Sequence, residues 1–228
     1  MATPLLELVG VSRTYGERQA LEPIDLSLRA RRCVVLLGAN GSGKSTLLRI
    51  ACGRDTPTTG TVRLGGTPLS EEDVRIRTQI GVVADTVGYY PDLTISEHLH
   101  LVAVAHGAGD RADELVATAL EDCRLADHAD ALPGSLSSGQ TQAMLLASVL
   151  VRPRRLLVLD EPEQRLDPAA RDWLASVLRA EKKSGTALLV ATHHADLAAA
   201  VADRVLVLRD GEVVADGGPD EVLAGAIA

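Results

Sequence analysis

The sequence contains few aromatic residues, no phenylalanine and no long apolar run. Only 2% of its 228 residues are aromatic, although 46% are hydrophobic and 24% charged, as in ordinary globular proteins with a buried core. No apolar run approaches the roughly 20 residues of a membrane-spanning helix. The N-terminus "MATPLLELVG" also lacks the basic and apolar regions of a signal peptide. We therefore expect any role at a membrane to depend on a partner.

Basic residues also do not outnumber acidic ones in this sequence. The chain has 23 lysines and arginines against 31 aspartates and glutamates, which gives a formal net charge of −8. General binding to nucleic acid or to an anionic membrane surface requires a concentrated basic face. The charge balance therefore predicts that nucleic acid is not a partner.

Cysteine is scarce and unevenly spaced, at Cys33, Cys52 and Cys123. This odd number of residues matches neither a disulfide framework nor a zinc-binding pattern. Isolated cysteines in apolar segments are typical of reduced core positions. The cysteine pattern therefore favours a cytoplasmic location.

Short, continuously apolar runs are the main strand signal in the sequence. Such runs are typical of parallel strands that are covered on both faces. They are "CVVLL" (33–37), "LLVLD" (156–160), "ALLVA" (187–191) and "VLVLR" (205–209). Helical patterns separate them, and the helix predicted over 168–183 has Asp167 as a candidate N-cap. This alternation predicts an α/β fold with a parallel sheet.

The remaining segments predict antiparallel strands and an inserted helical lobe. "LLELVGVS", "LEPIDLSLR" and "GTVRLGG" alternate polar and apolar residues, and Asp210-Gly211 is a favoured hairpin turn. Residues 93–151 have helical spacing and few strand signals. We therefore predict a single unit over 1–228, with an α/β core (1–92 and 152–228) and a helical lobe (93–151).

The segment "GANGSGKST" (38–46) lies between an apolar strand and a helical pattern, which is the context required for a phosphate-binding P-loop. Its glycines allow backbone N–H groups to surround phosphate oxygens at the start of a helix. Lys44 is expected to reach the β and γ phosphates, and the Ser45 hydroxyl to bind Mg²⁺. The predicted nucleotide-binding residues here are Gly38, Asn40, Gly41, Ser42, Gly43, Lys44, Ser45 and Thr46.

A second acidic site follows the strand "LLVLD", where Asp160 and Glu161 are adjacent. Asp160 is placed to bind Mg²⁺, and Glu161 to orient or deprotonate an attacking water. Acidic residues at a strand end also serve as helix caps, so the pair by itself leaves both interpretations open. Up to this point a small-molecule kinase or a GTPase also fits the sequence.

Five motifs occur in the order "GANGSGKST", "LSSGQ", "LLVLDEP", "RLD" and "ATHH". In this order and spacing the chain resembles the nucleotide-binding subunit of ATP-binding cassette (ABC) transporters over nearly its whole length. The resemblance implies a P-loop NTPase core with a mostly parallel sheet, an N-terminal antiparallel β subdomain and an inserted helical lobe. It also implies ATP and Mg²⁺ as cofactors, and a kinase would have no reason to contain the second and fifth motifs.

The segment "LSSGQ" (136–140) resembles the signature motif of that family. There the motif begins a helix and meets the γ-phosphate of ATP bound to the opposite subunit. The resemblance implies that Ser137, Gly139 and Gln140 make this contact, with support from the helix dipole. A head-to-tail dimer, expected to contain two identical cassettes, then completes two ATP sites.

Three further positions are assigned through the resemblance. Tyr15 matches the aromatic residue that stacks on adenine, although an ordinary half-buried tyrosine is the alternative. His193 matches the switch histidine that contacts the γ-phosphate, whereas the adjacent His194 replaces a residue that is usually acidic and is given no role. Asp167 matches the aspartate that couples the two sites, and it is also the candidate N-cap noted above.

The sequence departs from the family pattern at two further places. Asp85 stands where a glutamine usually contacts Mg²⁺ and the attacking water, so we expect Mg²⁺ binding to survive with altered coupling or hydrolysis. Ser138 replaces a signature glycine, which we expect to be tolerated because Ser137 and Gly139 are present. A low-turnover or regulatory cassette is the alternative that these changes leave open.

The resemblance as a whole implies an ATP-hydrolysing motor that drives an integral membrane permease on a separate chain. "YYPDLTISEHL" looks most like the subunits of small exporters. The expected location is the cytoplasm, at the inner face of the cell membrane. A soluble cassette that acts on ribosomes or DNA is the alternative, but its usual basic patches and coiled-coil insertions are missing from this sequence.

Overall fold

The computed structural model describes residues 3–70, 73–84 and 88–226. The strands are β1 (Leu6–Tyr15), β2 (Arg18–Leu28), β3 (Cys33–Leu37), β4 (Thr59–Leu64), β5 (Thr67–Pro68), β6 (Ile80–Val83), β7 (Leu156–Asp160), β8 (Ala187–Thr192), β9 (Arg204–Arg209) and β10 (Glu212–Gly217). The helices are α1 (Lys44–Ala51), α2 (Val74–Arg77), α3 (Ile95–Ala105), α4 (Ala112–Asp122), α5 (Ser138–Leu150), α6 (Pro168–Ser184), α7 (Ala195–Val201) and α8 (Pro219–Ala226). This order of elements confirms the predicted α/β class.

A six-stranded sheet forms the centre of the described part of the chain. Its order is β10-β9-β3-β8-β7-β6, and every neighbouring pair is parallel except β9 with β10. The four continuously apolar runs form β3, β7, β8 and β9, which confirms their prediction as buried strands. Val35 packs into one apolar cluster and the adjacent Val34 into another. The runs do not alternate because both faces of this sheet are covered.

The two apolar clusters lie on opposite faces of the sheet. One contains side chains from the helical segment and from α6, including Leu99, Met144 and Trp173. The other contains side chains from α1 and the N-terminal strands, including Leu47 and Leu8. The sheet is therefore held between the helical segment on one side and α1 with the N-terminal strands on the other.

The N-terminal strands form a second, antiparallel sheet of described residues in the order β2-β1-β4-β5. Strand β1 continues to Tyr15, beyond the end at Ser12 predicted from the alternation. Its register against β4 shifts between Val9 and Ser12, and this irregularity interrupts the alternating pattern. The predicted hairpin between β9 and β10 is confirmed, because Asp210 and Gly211 have φ angles of 49° and 84°.

The described residues of the 93–151 segment form α3, α4 and α5 and contain no strand. His98 of α3 is buried, and its Nε2 lies 3.0 Å from Ser148 Oγ of α5. Burial lowers the pKa of His98. Trp173 of α6 donates from Nε1 to the Asp122 carbonyl at 2.8 Å, which ties α4 to the α/β core. Among the helices so described, none has the length and apolar content of a membrane span.

The three cysteines are not joined by disulfides. Cys33 in β3 and Cys123 after α4 are buried, and burial raises the pKa of each thiol to about 12. Cys52 follows α1 and packs half-buried at the edge of an apolar cluster. Because thiolates are the reactive form, Cys33 and Cys123 serve packing rather than chemistry.

The carboxyl ends of β3, β7 and β8 meet at one edge of the six-stranded sheet, because these neighbouring strands are parallel. After β3, the Gly38 N–H donates to the Thr192 carbonyl at 3.4 Å. After β7, the Glu161 N–H donates to the Ala191 carbonyl at 2.9 Å. The loops that follow these strands are therefore held side by side, where open α/β sheets bind their ligands.

Candidate nucleotide-binding site

The loop between β3 and α1 has a backbone that depends on glycine. Gly41 and Gly43 have φ angles of 83° and 104°, in the left-handed region. A Cβ atom at Gly43 would lie 2.7 Å from Leu21 Cδ2 and 3.1 Å from the Ala20 carbonyl oxygen. The loop therefore passes close to the chain near β2 and delivers Lys44 to the first position of α1.

Lys44 is an almost fully buried cation, with 4% of its surface exposed. Its Nζ donates to the carbonyl oxygens of Gly38 at 2.8 Å and Ala39 at 3.0 Å. The same Nζ lies 3.5 Å from Glu161 Oε1. A buried ammonium needs such partners, because removing it from water without them is costly. Lys44 is thus fixed at the junction of the β3 loop and the β7 loop.

Glu161 joins this loop to the histidine that follows β8. Its φ angle is 45°, which is unusual for a residue other than glycine. Glu161 Oε2 lies 3.5 Å from His193 Nδ1, and the Glu161 side chain is 15% exposed. The structure therefore brings Lys44, Glu161 and His193 into one continuous group of contacts, although they come from three separate loops.

Lys44 and Glu161 line a cleft of about 770 Å³, a size typical of small-ligand sites, whereas His193 lies outside this lining. The predicted residues that line it are Tyr15, Asn40, Gly41, Gly43, Lys44, Ser45, Thr46, Asp160 and Glu161. Two predicted residues of the P-loop lie outside this lining, because Ser42 is buried and a Cβ atom at Gly38 would lie 2.7 Å from the Ser42 Oγ. Gly38 and Ser42 thus support the loop on the side away from the cleft. A side chain at position 38 would also clash with the Leu208 carbonyl oxygen.

Tyr15 lies at the cleft with 39% of its surface exposed. The Arg13 guanidinium carbon lies 4.4 Å from its ring centroid, a cation–π contact. Its hydroxyl donates to Asp55 and accepts from Arg49 Nη2 at 3.2 Å. These three charged partners hold the ring in place. The spacing of Arg13 from Tyr15 on β1 places both on one face of the strand, whereas no local pattern connects Asp55 or Arg49 to Tyr15.

Four other polar residues line the cleft and were not predicted as site residues: Arg18, Gln19, Gln164 and Asp210. Gln164 follows Glu161 by three residues, and its N–H donates to the Glu161 carbonyl at 3.0 Å. Pro162, at the second position of this turn, is a local turn signal that was available in the sequence. Arg18 and Gln19 reach the cleft only through the position of β2, which no local pattern indicates.

The signature segment forms a capped helix start away from this cleft. Ser137 Oγ accepts from the Gln140 N–H at 3.3 Å, and Gln140 Oε1 accepts from the Ser137 N–H at 2.9 Å. This reciprocal capping box leaves Ser137 and Ser138 exposed at the N-terminus of α5. Residues 136–140 do not line the cleft of their own chain. The α5 N-terminus is thus available at the protein surface.

The remaining predicted site residues have distinct settings. Asp167 Oδ1 accepts from the Ala170 N–H at 2.8 Å, which confirms Asp167 as the N-cap of α6. Ser45 is exposed at the cleft, and Asp160 is the last residue of β7 beside it. Their hard oxygen atoms suit Mg²⁺. Asp85, the third predicted Mg²⁺ ligand, lies outside the described residues.

The chain matches a known protein family over more than half of its length. The ABC transporter family profile matches residues 21–164, from β2 through the P-loop to the residues after Glu161. The chain belongs to the ABC transporter family. The cassette is the ATP-binding subunit and an ATPase of this family, which confirms the resemblance noted in the sequence.

Two relatives illustrate how fully the cassette is matched. The Nod factor export ATP-binding protein I of Burkholderia orbicola is 33% identical over 228 residues, which cover 100% of this chain and 75% of that protein. The glutamate transport ATP-binding protein GluA of Corynebacterium glutamicum is 34% identical, with 95% of this chain and 91% of that protein covered.

A solved structure of a dimeric cassette, MJ0796 in a post-hydrolysis state with ADP and phosphate, has the same fold. It superposes with a TM-score of 0.85 at 28% identity, and the match covers 94% of this chain and 98% of that one. Its two-subunit form shows that a cassette of this fold dimerises with the products of ATP hydrolysis bound.

Proposed function

We propose that this cassette is the motor subunit of an exporter, that two copies enclose two ATP molecules head to tail, and that they drive a separate membrane subunit. The observation that carries the proposal is the group of contacts from Lys44 through Glu161, which both line the cleft, to His193 beside Glu161. A buried cation, a carboxylate and an imidazole lie together at the carboxyl ends of the parallel strands. These groups are suited to stabilise the terminal phosphate of ATP and to hydrolyse its bond.

The roles of the three residues follow from their chemistry. Lys44 would exchange its loop carbonyls for β and γ phosphate oxygens, which are stronger acceptors for an ammonium group. Glu161 would accept a proton from the attacking water, and His193 would donate a hydrogen bond to the γ-phosphate. Bound Mg²⁺ would supply neutralising charge, with Ser45, Asp160 and Asp85 as its protein ligands. Tyr15 would stack on the adenine from the outer end of the cleft.

The dimer is proposed from the position of the signature helix. The N-terminus of a helix favours an anion, and that of α5 lies outside its own cleft with Ser137 exposed. In a dimer with a two-fold axis, the α5 N-terminus of each copy would contact the ATP bound to the other copy. Asp167, at the start of α6, would then lie near the same interface and couple the two sites.

Mixing two inactive variants tests this arrangement. Lys44→Met disables the P-loop, and Gly139→Asp places a negative charge where the signature helix would meet phosphate. The second change suits the fold, because Asp is favourable in the first turn of a helix and a Cβ atom there lies 3.7 Å from Leu166. Each variant alone is expected to be inactive, whereas their mixture recovers up to about a quarter of wild-type ATPase activity, because only half of the random dimers contain one intact site.

Gly134→Asp is the matched control for the signature variant. It adds the same charge at a nearby glycine with open space around it, outside the 136–140 segment. This control is expected to retain full activity. If each ATP site were completed within one chain, mixing the two variants would recover no ATPase activity. That result would contradict the head-to-tail dimer.

Export through a membrane partner is proposed from the names of two relatives and from the surface of α3. Relatives from Burkholderia orbicola and Bacillus subtilis are named as Nod factor export and SkfA peptide export proteins. Leu101 and Val104 are 42% and 50% exposed and neighbour each other on α3. Tyr90 is 57% exposed, and its ring centroid lies 6.1 Å from that of His98 on the same helix. Exposed apolar side chains that lie close together are typical of a surface that a partner covers.

Purification from detergent-solubilised native membranes tests the partner. The wild-type chain is expected to recover a stoichiometric integral membrane protein, and Leu101→Glu to recover several-fold less with unchanged ATPase activity. Val214→Glu is the control, because Val214 is equally exposed on β10, away from the helical segment. Recovery of ribosomes or DNA instead, or of no partner, would contradict the transporter role.

A further inference from the structure

Glu163, His193 and His194 form a cluster beside the nucleotide site that the proposed mechanism uses only in part. One ligand atom from each residue lies within 4.8 Å of the other two. The two histidines lie between the end of β8 and the start of α7, and their ring centroids are 4.2 Å apart. Glu163 comes from the loop after β7, so the cluster joins two separate loops.

Glu163 is the least expected member of the cluster. It is a carboxylate with only 2% of its surface exposed. Its Oε1 accepts a hydrogen bond from Thr192 Oγ1, whereas its Oε2 is buried and has no hydrogen-bond partner within the described ranges. A buried carboxylate oxygen without a partner is costly, and a bound cation is one means of satisfying it.

We propose that Glu163, His193 and His194 bind a divalent transition-metal ion of the zinc class, which withdraws His193 from the nucleotide site. Two imidazoles and one carboxylate, with water in the fourth position, are a ligand set that zinc uses in proteins. Thr192 supports this set by fixing Glu163, as groups behind metal ligands commonly do.

Metal binding requires the cluster to contract. Tetrahedral zinc, with bonds of about 2.0–2.1 Å, holds its ligand atoms about 3.4 Å apart. Glu163 is enclosed by the core, so the 41% exposed side chain of His193 is the member with room to rotate inward. That rotation breaks the 3.5 Å contact between His193 Nδ1 and Glu161 Oε2. Metal binding therefore inhibits ATP hydrolysis, a consequence that rests on the proposed role of His193.

Arg171 opposes the metal ion in this site. Its Nη1 donates to His194 Nδ1 at 3.3 Å, which brings a positive charge to the cluster and occupies one ring nitrogen. A metal ion has to displace this guanidinium group or compete with its charge. Arg171→Gln is therefore expected to bind the metal ion more tightly than the wild-type chain.

Titration of the nucleotide-free protein with Zn²⁺, followed by calorimetry, tests the site without using ATPase activity. One Zn²⁺ per chain is expected, and Co²⁺ should give the visible absorption of a tetrahedral complex. Glu163→Gln and His194→Asn are expected to weaken binding by about tenfold or more. His100→Asn is the control, because it removes an exposed imidazole on α3 that is paired with Asp113. No stoichiometric binding, or binding by both cluster variants as tight as that of the wild type, would overturn the proposal.

The inhibition is measured separately on the same proteins. Zn²⁺ at saturation is expected to suppress wild-type ATPase activity several-fold, and to leave Glu163→Gln and His194→Asn at their normal basal activity. Zinc that binds the cluster without changing this activity would overturn the inhibition. An inactive metal-free wild type would contradict the proposed motor function instead, and the Zn²⁺ titration would still decide the metal site.

Discussion

Glu161→Gln is expected to slow ATP hydrolysis by about 10²–10⁴-fold, the usual contribution of a catalytic base, while ATP binding is retained. Glutamine keeps the shape of the side chain but accepts no proton from water. It also removes the negative charge that faces Lys44 at 3.5 Å, so the affinity for a phosphate anion should not fall. The variant should therefore accumulate as a closed dimer with ATP, measured by phosphate release and by size-exclusion chromatography.

Glu163→Gln is the control for this experiment, since it makes the same chemical change in the same loop. Glu163 points to Thr192 rather than to Lys44, and we expect normal turnover and no ATP-trapped dimer. A Glu161→Gln variant that hydrolyses ATP at the wild-type rate would contradict the assignment of Glu161 as the base. Loss of dimerisation together with loss of turnover would instead indicate that Glu161 holds the loop, for which the contacts of its carboxylate with Lys44 and His193 are the structural reason.

The sequence predicted the parts of the fold in which local and global signals agree. The run "CVVLL" predicts a buried strand, because both of its faces pack into apolar clusters. Asp167 was identified as an N-cap because an aspartate directly before a proline at the first helical position is a local signal. The end of β1 was predicted too early, because the shift near Val9 depends on its pairing with β4.

The site was predictable wherever a motif specifies backbone shape. Gly43 has a left-handed φ and passes close to Leu21, where a Cβ atom would clash. The P-loop pattern specifies glycine at this position. Two partners of Tyr15 were not predictable, because Arg49 and Asp55 come from outside its strand, whereas Arg13 lies two residues away on β1. The cluster of Glu163 with the two histidines also depends on β7 and β8 being neighbours, which no local spacing expresses.

Lys44→Met is expected to weaken ATP binding by about 10–150-fold, because hydrogen bonds to a charged group contribute about 1.5–3 kcal/mol. Methionine keeps most of the apolar stem but donates no hydrogen bond. Two effects contribute to the weaker binding. The γ-phosphate loses the cation that contacts it, and the negative charge of Glu161 faces the phosphate without the positive charge that balances it. Binding of a fluorescent ATP analogue, with thermal unfolding to check the fold, measures the effect.

Lys182→Met is the matched control, because Lys182 has the same kinds of contact far from the cleft. Its Nζ donates to the Val201 carbonyl at 2.9 Å and lies 3.1 Å from Asp203, as Lys44 contacts two carbonyls and Glu161. We expect Lys182→Met to change thermal stability without changing ATP affinity. Equal loss of affinity in both variants would show that a general loss of stability, rather than the phosphate contact of Lys44, accounts for the effect.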